Sequence, residues 1–300
     1  MIKPSLIIMA AGIGSRFGGT KQLESFGPNG ERIMDYAMFD AINLDFGKIV
    51  IVVRTEIENE VKQQYSRILK NRIAFETVVQ ETEIHLPGTD IFIKRQKPWG
   101  TGHALISAAD RINEPFVLIN ADDYYGKDAL KEISQFLIRQ NDPTSYALAG
   151  YRLENTLSPN GRVSRAVCET DASSHLVSIV ENLALGLNSL GNLTSEVGGK
   201  ETIISPSKLV SMNCWGFQPS VFQFFKNKFK SFIESEINHD KEFFLPTVIQ
   251  ELIHDHIATV TILPVENNCF GVTYPKDKEL VTHQLNTLIS KNIYPENLWK

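Results

Sequence analysis

Short continuous apolar runs alternate with stretches of helical period through the first half of the chain. LIIMAA at 6–11, KIVIVV at 48–53 and PFVLIN at 115–120 are the runs. Between them lie ERIMDYAMFDAI, an amphipathic polar stretch at 57–70 and HALISAADRI, which read as helices. Runs this short and this uniformly apolar suit strands buried on both faces, and strand–helix–strand order implies parallel strands with right-handed crossovers.

After about residue 142 the texture changes. SYALAGYRL, SRAVCET and HLVSIVEN read as longer strands, followed by a polar, glycine-containing stretch at 184–207 and a further strand in KLVSMNCWGF. Helices are predicted over 219–235, 242–254 and 277–291, with a strand in ATVTILPV at 258–265. No linker, low-complexity tract or internal repeat interrupts the chain. The expectation is one domain over 1–300, with a first lobe over about 1–142 and a second, α+β lobe with C-terminal helices over about 143–300.

Composition narrows the chemistry. The 300 residues are 42% hydrophobic and 22% charged, which is globular rather than disordered. A formal charge of -5 removes the global positive field that nucleic-acid binding relies on, so an anionic ligand needs a local cluster of cations. Cys168, Cys214 and Cys269 are too scattered for a disulfide framework or a zinc site, and a reducing, cytoplasmic setting is expected. No 18-residue apolar span occurs, so neither a signal peptide nor a membrane partner is expected.

The cluster sought lies in IIMAAGIGSRFGGTKQL at 7–23, where an apolar run opens into a loop with four glycines, one arginine and one lysine. Strand, glycine-rich turn and helix together direct unpaired backbone N–H groups at one point, where anions bind. The dinucleotide fingerprint fails, because Phe17 stands at its third glycine and Arg54, not an acid, follows the second strand. A Walker A loop fails because Thr20 precedes Lys21 instead of following it. The pattern that fits is Ala-Gly-x-Gly-Ser-Arg with a downstream Lys-Gln-Leu: Ala11, Gly12, Gly14, Ser15, Arg16, Lys21, Gln22 and Leu23.

In these residues the chain resembles the sugar-phosphate nucleotidyltransferases, which move a nucleoside monophosphate from an NTP to a sugar 1-phosphate and release pyrophosphate. QKPWGTGHAL at 96–105, LINADDYYG at 118–126, IVEN at 179–182 and SMNCWGF at 211–217 resemble further family segments in the family's order. The resemblance implies a Rossmann-like mixed, mostly parallel sheet with a smaller sugar-binding lobe, the nucleotide lying over the carboxyl ends of the strands. It implies that Ala10, Ala11, Gly12, Gly14 and Ser15 hold the triphosphate, that Arg16 and Lys21 neutralise it, and that Asp122 holds Mg2+. Such transfer needs charge neutralisation and in-line geometry more than an acid or base.

By the same resemblance Gln96, Gly100 and Thr101 meet the base, while Glu181 and Asn213 meet the sugar hydroxyls; Trp215 either stacks on the sugar or fills the core. Two positions depart from the family. Thr273 stands where a second metal ligand is usual, and Asn182 stands where many relatives carry a lysine for the acceptor phosphate, leaving Arg165 or Lys276 to supply that cation. Family members often form homo-oligomers, though no patterning here marks an interface. Transfer to an aminoalcohol or polyol phosphate, and a non-catalytic nucleotide-sugar sensor, are the alternatives.

Overall fold

The computed structural model describes residues 2–14, 21–85, 92–197, 200–235, 241–266 and 269–300. The strand–helix alternation of the first half is present as β1 (Ser5–Met9), α1 (Ile33–Asn43), β2 (Lys48–Val53), α2 (Thr55–Leu69) and β3 (Ala74–Val79). A hairpin of β4 (Glu83–His85) and β5 (Phe92–Lys94) precedes α3 (Thr101–Ser107), β6 (Phe116–Asn120), the short β7 (Asp123–Tyr124) and α4 (Lys127–Arg139). The next strands are β8 (Ser145–Arg152), β9 (Val163–Thr170), β10 (Leu176–Leu187), β11 (Leu193–Val197), β12 (Lys200–Ile203) and β13 (Leu209–Phe217). α5 (Val221–Glu234), α6 (Leu245–His254), β14 (Thr259–Val265), β15 (Phe270–Gly271) and α7 (Asp277–Ser290) complete the chain.

Among the described residues an 11-stranded mixed sheet runs through both halves. Its parallel block is β3-β2-β1-β6, with Met9 level with both Val52 and Asn120, so the carboxyl ends of these strands finish along one edge. β13 continues antiparallel to β6, and β8 to β12 extend the sheet in antiparallel ladders, with β14 parallel to β8. Alternation along the parallel strands divides the core. Leu6, Ile8, Ile49, Ile51, Val117 and Ile119 pack against α1, α2 and α4, while Ile7, Met9, Val50, Val52 and Leu118 pack against α3, α5 and α6. The helices answer this in kind: Ile57, Val61, Tyr65 and Leu69 bury one stripe of α2 at four-residue spacing.

Two segments differ from the sequence expectation. The polar stretch at 184–207 is a strand arm, the end of β10 with β11 and β12, whose solvent face leaves Leu187 and Ile203 exposed. One-sided burial dilutes the apolar signal that marks the parallel strands. The sixth helix starts at Leu245, not 242: Phe244 is extended, and Phe243 N–H donates to Trp99 O at 2.6 Å while its carbonyl accepts from Gly102 N–H at 2.9 Å. No described helix is long and apolar enough to cross a membrane.

Candidate active site

Gly12, Gly14, Lys21, Gln80, Asn120 and Asp122 gather along the carboxyl edge of β3, β1 and β6. Two contiguous cavities lie there, about 390 Å3 and about 340 Å3, sharing Gly14, Lys21, Asn120 and Asp122. Each wall follows from a strand that has run out of ladder partners. Ala10 N–H still bonds Val52 O and Gln80 N–H bonds Val53 O, after which the chains diverge and open the cleft.

Lys21 sits in a single helical turn, Lys21–Leu23, directly after the loop. Its ammonium pairs with the Asp122 carboxylate and donates to Val272 O at 3.0 Å, while Val272 N–H donates to Asp122 O at 3.2 Å. Two sequence segments 100 residues apart are thus tied to a third from β15. Asp123 takes the neighbouring position, accepting from Asn120 Nδ2 at 2.9 Å; a Cβ at Gly271 would collide with it. Burial and the Asp122 charge push the Asp123 carboxyl up to about 6.

The remaining loop residues divide by exposure. Ala11, Gly12 and Gly14 line the larger cavity, and Gly14 holds a positive φ of 64°. Gln22 is buried beneath them and fixes the loop by donating Nε2–H to Gly12 O at 2.8 Å. Ala10 faces the core instead. Ser15 and Arg16 lie outside the described residues.

At the far end of the larger cavity are Gly100, Thr101 and Gln80. Gly100 adopts φ 107°, and any Cβ there would come within 2.8 Å of Phe243 O, so the position requires glycine. Thr101 Oγ1 accepts from Leu245 N–H at 3.0 Å. Gln96, the expected base contact, is exposed and does not line the cavity. Gln80, buried at the end of β3, does; its Nε2 donates to Gly100 O at 3.0 Å and lies 3.4 Å from His103 Nδ1. The β4–β5 hairpin lengthens the sequence between Gln80 and Gly100, which hid their proximity. His103 is stacked on Phe229 at 4.7 Å, and burial, with the Arg95 charge, lowers its pKa to about 4, so it stays neutral.

Of the expected acceptor residues, Glu181 lines neither cavity. Asn213 lines the larger cavity from a bulge in β13, where the register with β8 shifts between Ser211 and Trp215 and Asn213 takes φ 61°. Glu181 sits on β10 opposite Ala166 of β9; burial raises its pKa, opposed by Arg165. Trp215 is a correction: it is 0% exposed, packed in the core and stacked on Phe217 at 5.7 Å, so it presents no face to a sugar. Asn182 is turned inward as well, donating to Val180 O at 2.9 Å and accepting from Ser195 Oγ at 2.6 Å.

Thr273 lines the smaller cavity beside Asp122 and Asp123. Its loop is held by Asp277, whose carboxylate accepts from Thr273 N–H, Tyr274 N–H, Ser158 Oγ and Asn160 Nδ2 at 2.7–2.9 Å. Burial alone would raise the Asp277 pKa; these four bonds bring it below the usual carboxylate value.

Gly12 and Gly14, the Lys21–Asp122 pair and the pocket end at Gln80 and Gly100 thus lie along one sheet edge. The chain belongs to the nucleotidyl transferase family of enzymes, whose model matches residues 5–239. The inositol-1-phosphate CTP transferase from T. maritima is similar in fold, with a TM-score of 0.63 at 14% identity over 94% of this chain and 96% of that one. UDP-glucose pyrophosphorylase, solved with UDP-glucose, gives 0.59 at 16% identity over 96% and 99%. No curated protein matches the sequence.

Proposed function

We propose that the protein transfers a nucleoside monophosphate from an NTP to a sugar 1-phosphate. An oxygen of the acceptor phosphate attacks the α-phosphorus, the bond from that phosphorus to the bridging oxygen breaks, and pyrophosphate leaves. The observation that carries this reading is the meeting of Lys21 and Asp122 at the floor of a cleft that ends in Gln80 and Gly100.

Lys21 stabilises charge that builds on the phosphates, together with Arg16 of the same sequence motif. The ground-state pair with Asp122 keeps the lysine in place until the nucleotide arrives. Oxygen donors dominate the wall, and among the described residues no three acidic, histidine or cysteine side chains gather around one point. Such a set suits Mg2+, which commonly takes one or two carboxylates and completes its shell with phosphate oxygens and water. Asp122 would hold it with Asp123 or Thr273 beside, and when bound it neutralises phosphate charge. The elevated Asp123 pKa fits such a wall, where burial and the Asp122 charge outweigh the nearby Arg165 and Lys21 cations.

Gln80 takes the role expected of Gln96. With its amide N–H2 turned to Gly100 O and neutral His103, its Oε1 is left to accept a base N–H, such as uracil or thymine N3–H or the cytosine amino group. Transfer to a polyol phosphate is the second reading, favoured by the fold likeness to the inositol-1-phosphate CTP transferase.

The test is pyrophosphate release in a grid of NTPs, dTTP included, against sugar 1-phosphates, polyol phosphates and aminoalcohol phosphates, with and without Mg2+. Release confined to a few cells, and reduced about 10^2- to 10^4-fold by Lys21→Ala, is the expected result. Nucleotide binding without release in any cell would defeat the reading and leave a sensor.

A further inference from the structure

We propose that Arg165 is the cation that receives the phosphate of the acceptor. This rests on the transferase reading and assigns a residue to the one charge in it that is otherwise unanswered. A phosphorylated acceptor brings its own negative charge to the α-phosphate, and the cleft must offset that charge at the attacking end. Asn182 cannot, being uncharged and hydrogen-bonded inward to Val180 and Ser195. Lys276 is exposed and does not line the cavity. Lys21 is committed to the charge that builds on the NTP phosphates, and Lys97 stands at the opposite, base-side end.

Arg165 lines the smaller cavity together with Lys21, Asp122 and Thr273, and also the adjoining recess of about 230 Å3. What sets it apart is how it is held. Its Nη1 donates to Ser164 O at 2.7 Å and its Nη2 to Thr156 O at 2.6 Å, both neutral carbonyls. Among the described residues no carboxylate forms a salt bridge with it, whereas neighbouring Arg162 is bonded to Glu201 at 2.7 Å. Two of the five guanidinium N–H bonds are spent on orientation, and Nε is buried without a partner. A planar cation fixed by carbonyls, whose charge reaches Asp123 and Glu181 without a salt bridge to either, is preorganised for a phosphate, which guanidinium binds in forked geometry. Its position on β9, directly across from Asn182 on β10, lets it replace from the adjacent strand the positive charge that Asn182 lacks.

Steady-state kinetics on Arg165→Lys and Arg165→Gln, with the acceptor turned over by the wild type, separate this role from a structural one. The expected result is a rise of about 10- to 100-fold in the acceptor KM for the glutamine variant, partial recovery in the lysine variant, and an NTP KM within about threefold of wild type. A counter-ion that merely steadies Asp123 and Glu181 would instead shift both KM values and the melting temperature together, and that result would overturn the proposal.

A binding arm reads the same claim without turnover. With the nucleotide site saturated by a non-hydrolysable α,β-methylene NTP, inorganic phosphate should raise the melting temperature of the wild type and leave Arg165→Gln unmoved. Equal shifts in both proteins would overturn the assignment even if the grid identifies an active transferase. Absence of turnover together with phosphate protection that needs Arg165 would fault the transferase reading and leave the anion site standing.

Discussion

Single residues in this cleft are fixed by backbone geometry as much as by charge. Gly100 is the clearest case, since its φ of 107° and the approach of Phe243 O exclude any side chain, and its carbonyl is also what orients Gln80. Gly100→Ala should cost at least about 2 kcal/mol of stability and should raise the NTP KM more than the acceptor KM; denaturant titration and initial rates measure the two effects. The cleft-lining residues legible in the sequence are those whose placement depends on local spacing: Gly12, Gly14 and Lys21 within one loop, and Asp122 just after an apolar run. Gln80 was not legible, because its partner Gly100 is adjacent only after β3 and the β4–β5 hairpin have folded. Trp215 was ambiguous for a different reason: an indole has the same sequence signature on a ligand face and in a core, and only the direction of β13 decides.

At the level of elements, α1 carries two acids turned toward the interior. Asp35 accepts from Tyr65 OH and from Arg32 N–H, and Asp40 accepts from Tyr294 OH at 2.6 Å. Burial raises their pKa values to about 6 and about 7. The folded protein therefore keeps these protons at pH values where the unfolded chain, titrating near 3.8, has released them. Their contribution to stability is complete below that pH and is lost as pH rises through about 7. Asp40→Asn should flatten the corresponding fall in melting temperature between about pH 4 and pH 7, which differential scanning calorimetry in matched buffers would show. β1, β2 and β6 are readable because each is apolar on both faces, whereas β3, which contains Glu76 and Thr77 and has no fully buried residue, and β11 and β12, with one face in solvent, carry too weak a pattern to stand out.

For the whole molecule, the continuity of the sheet outweighs the change in texture near residue 142. Each of the two large hydrophobic clusters draws on both halves, one joining Leu6 to Cys214 and the other Ile7 to Ile262. Neither half can melt without exposing core that the other half covers. A single calorimetric transition is expected, and saturating nucleotide should move all of it upward rather than splitting it. Separate transitions assigned by limited proteolysis to 1–142 and 143–300 would count against that expectation. The alternation of strands and helices foretold the α/β block, but the shared core depends on β13 crossing back beside β6, a long-range pairing no local pattern encodes.

Asp277 has a consequence in time as well as in space. Its carboxylate holds the loop that carries Val272 and Thr273, and Val272 in turn receives the Lys21 ammonium. Residues 7–23 emerge from the ribosome early, but at about 5–20 residues per second the loop near 273 follows only after roughly ten seconds to a minute. Until then a nascent chain holds its first strands and its glycine loop without the far wall of the cleft. The tie between Lys21 and Val272 therefore arrives with residues 270–277, as one late step in synthesis rather than by gradual gain.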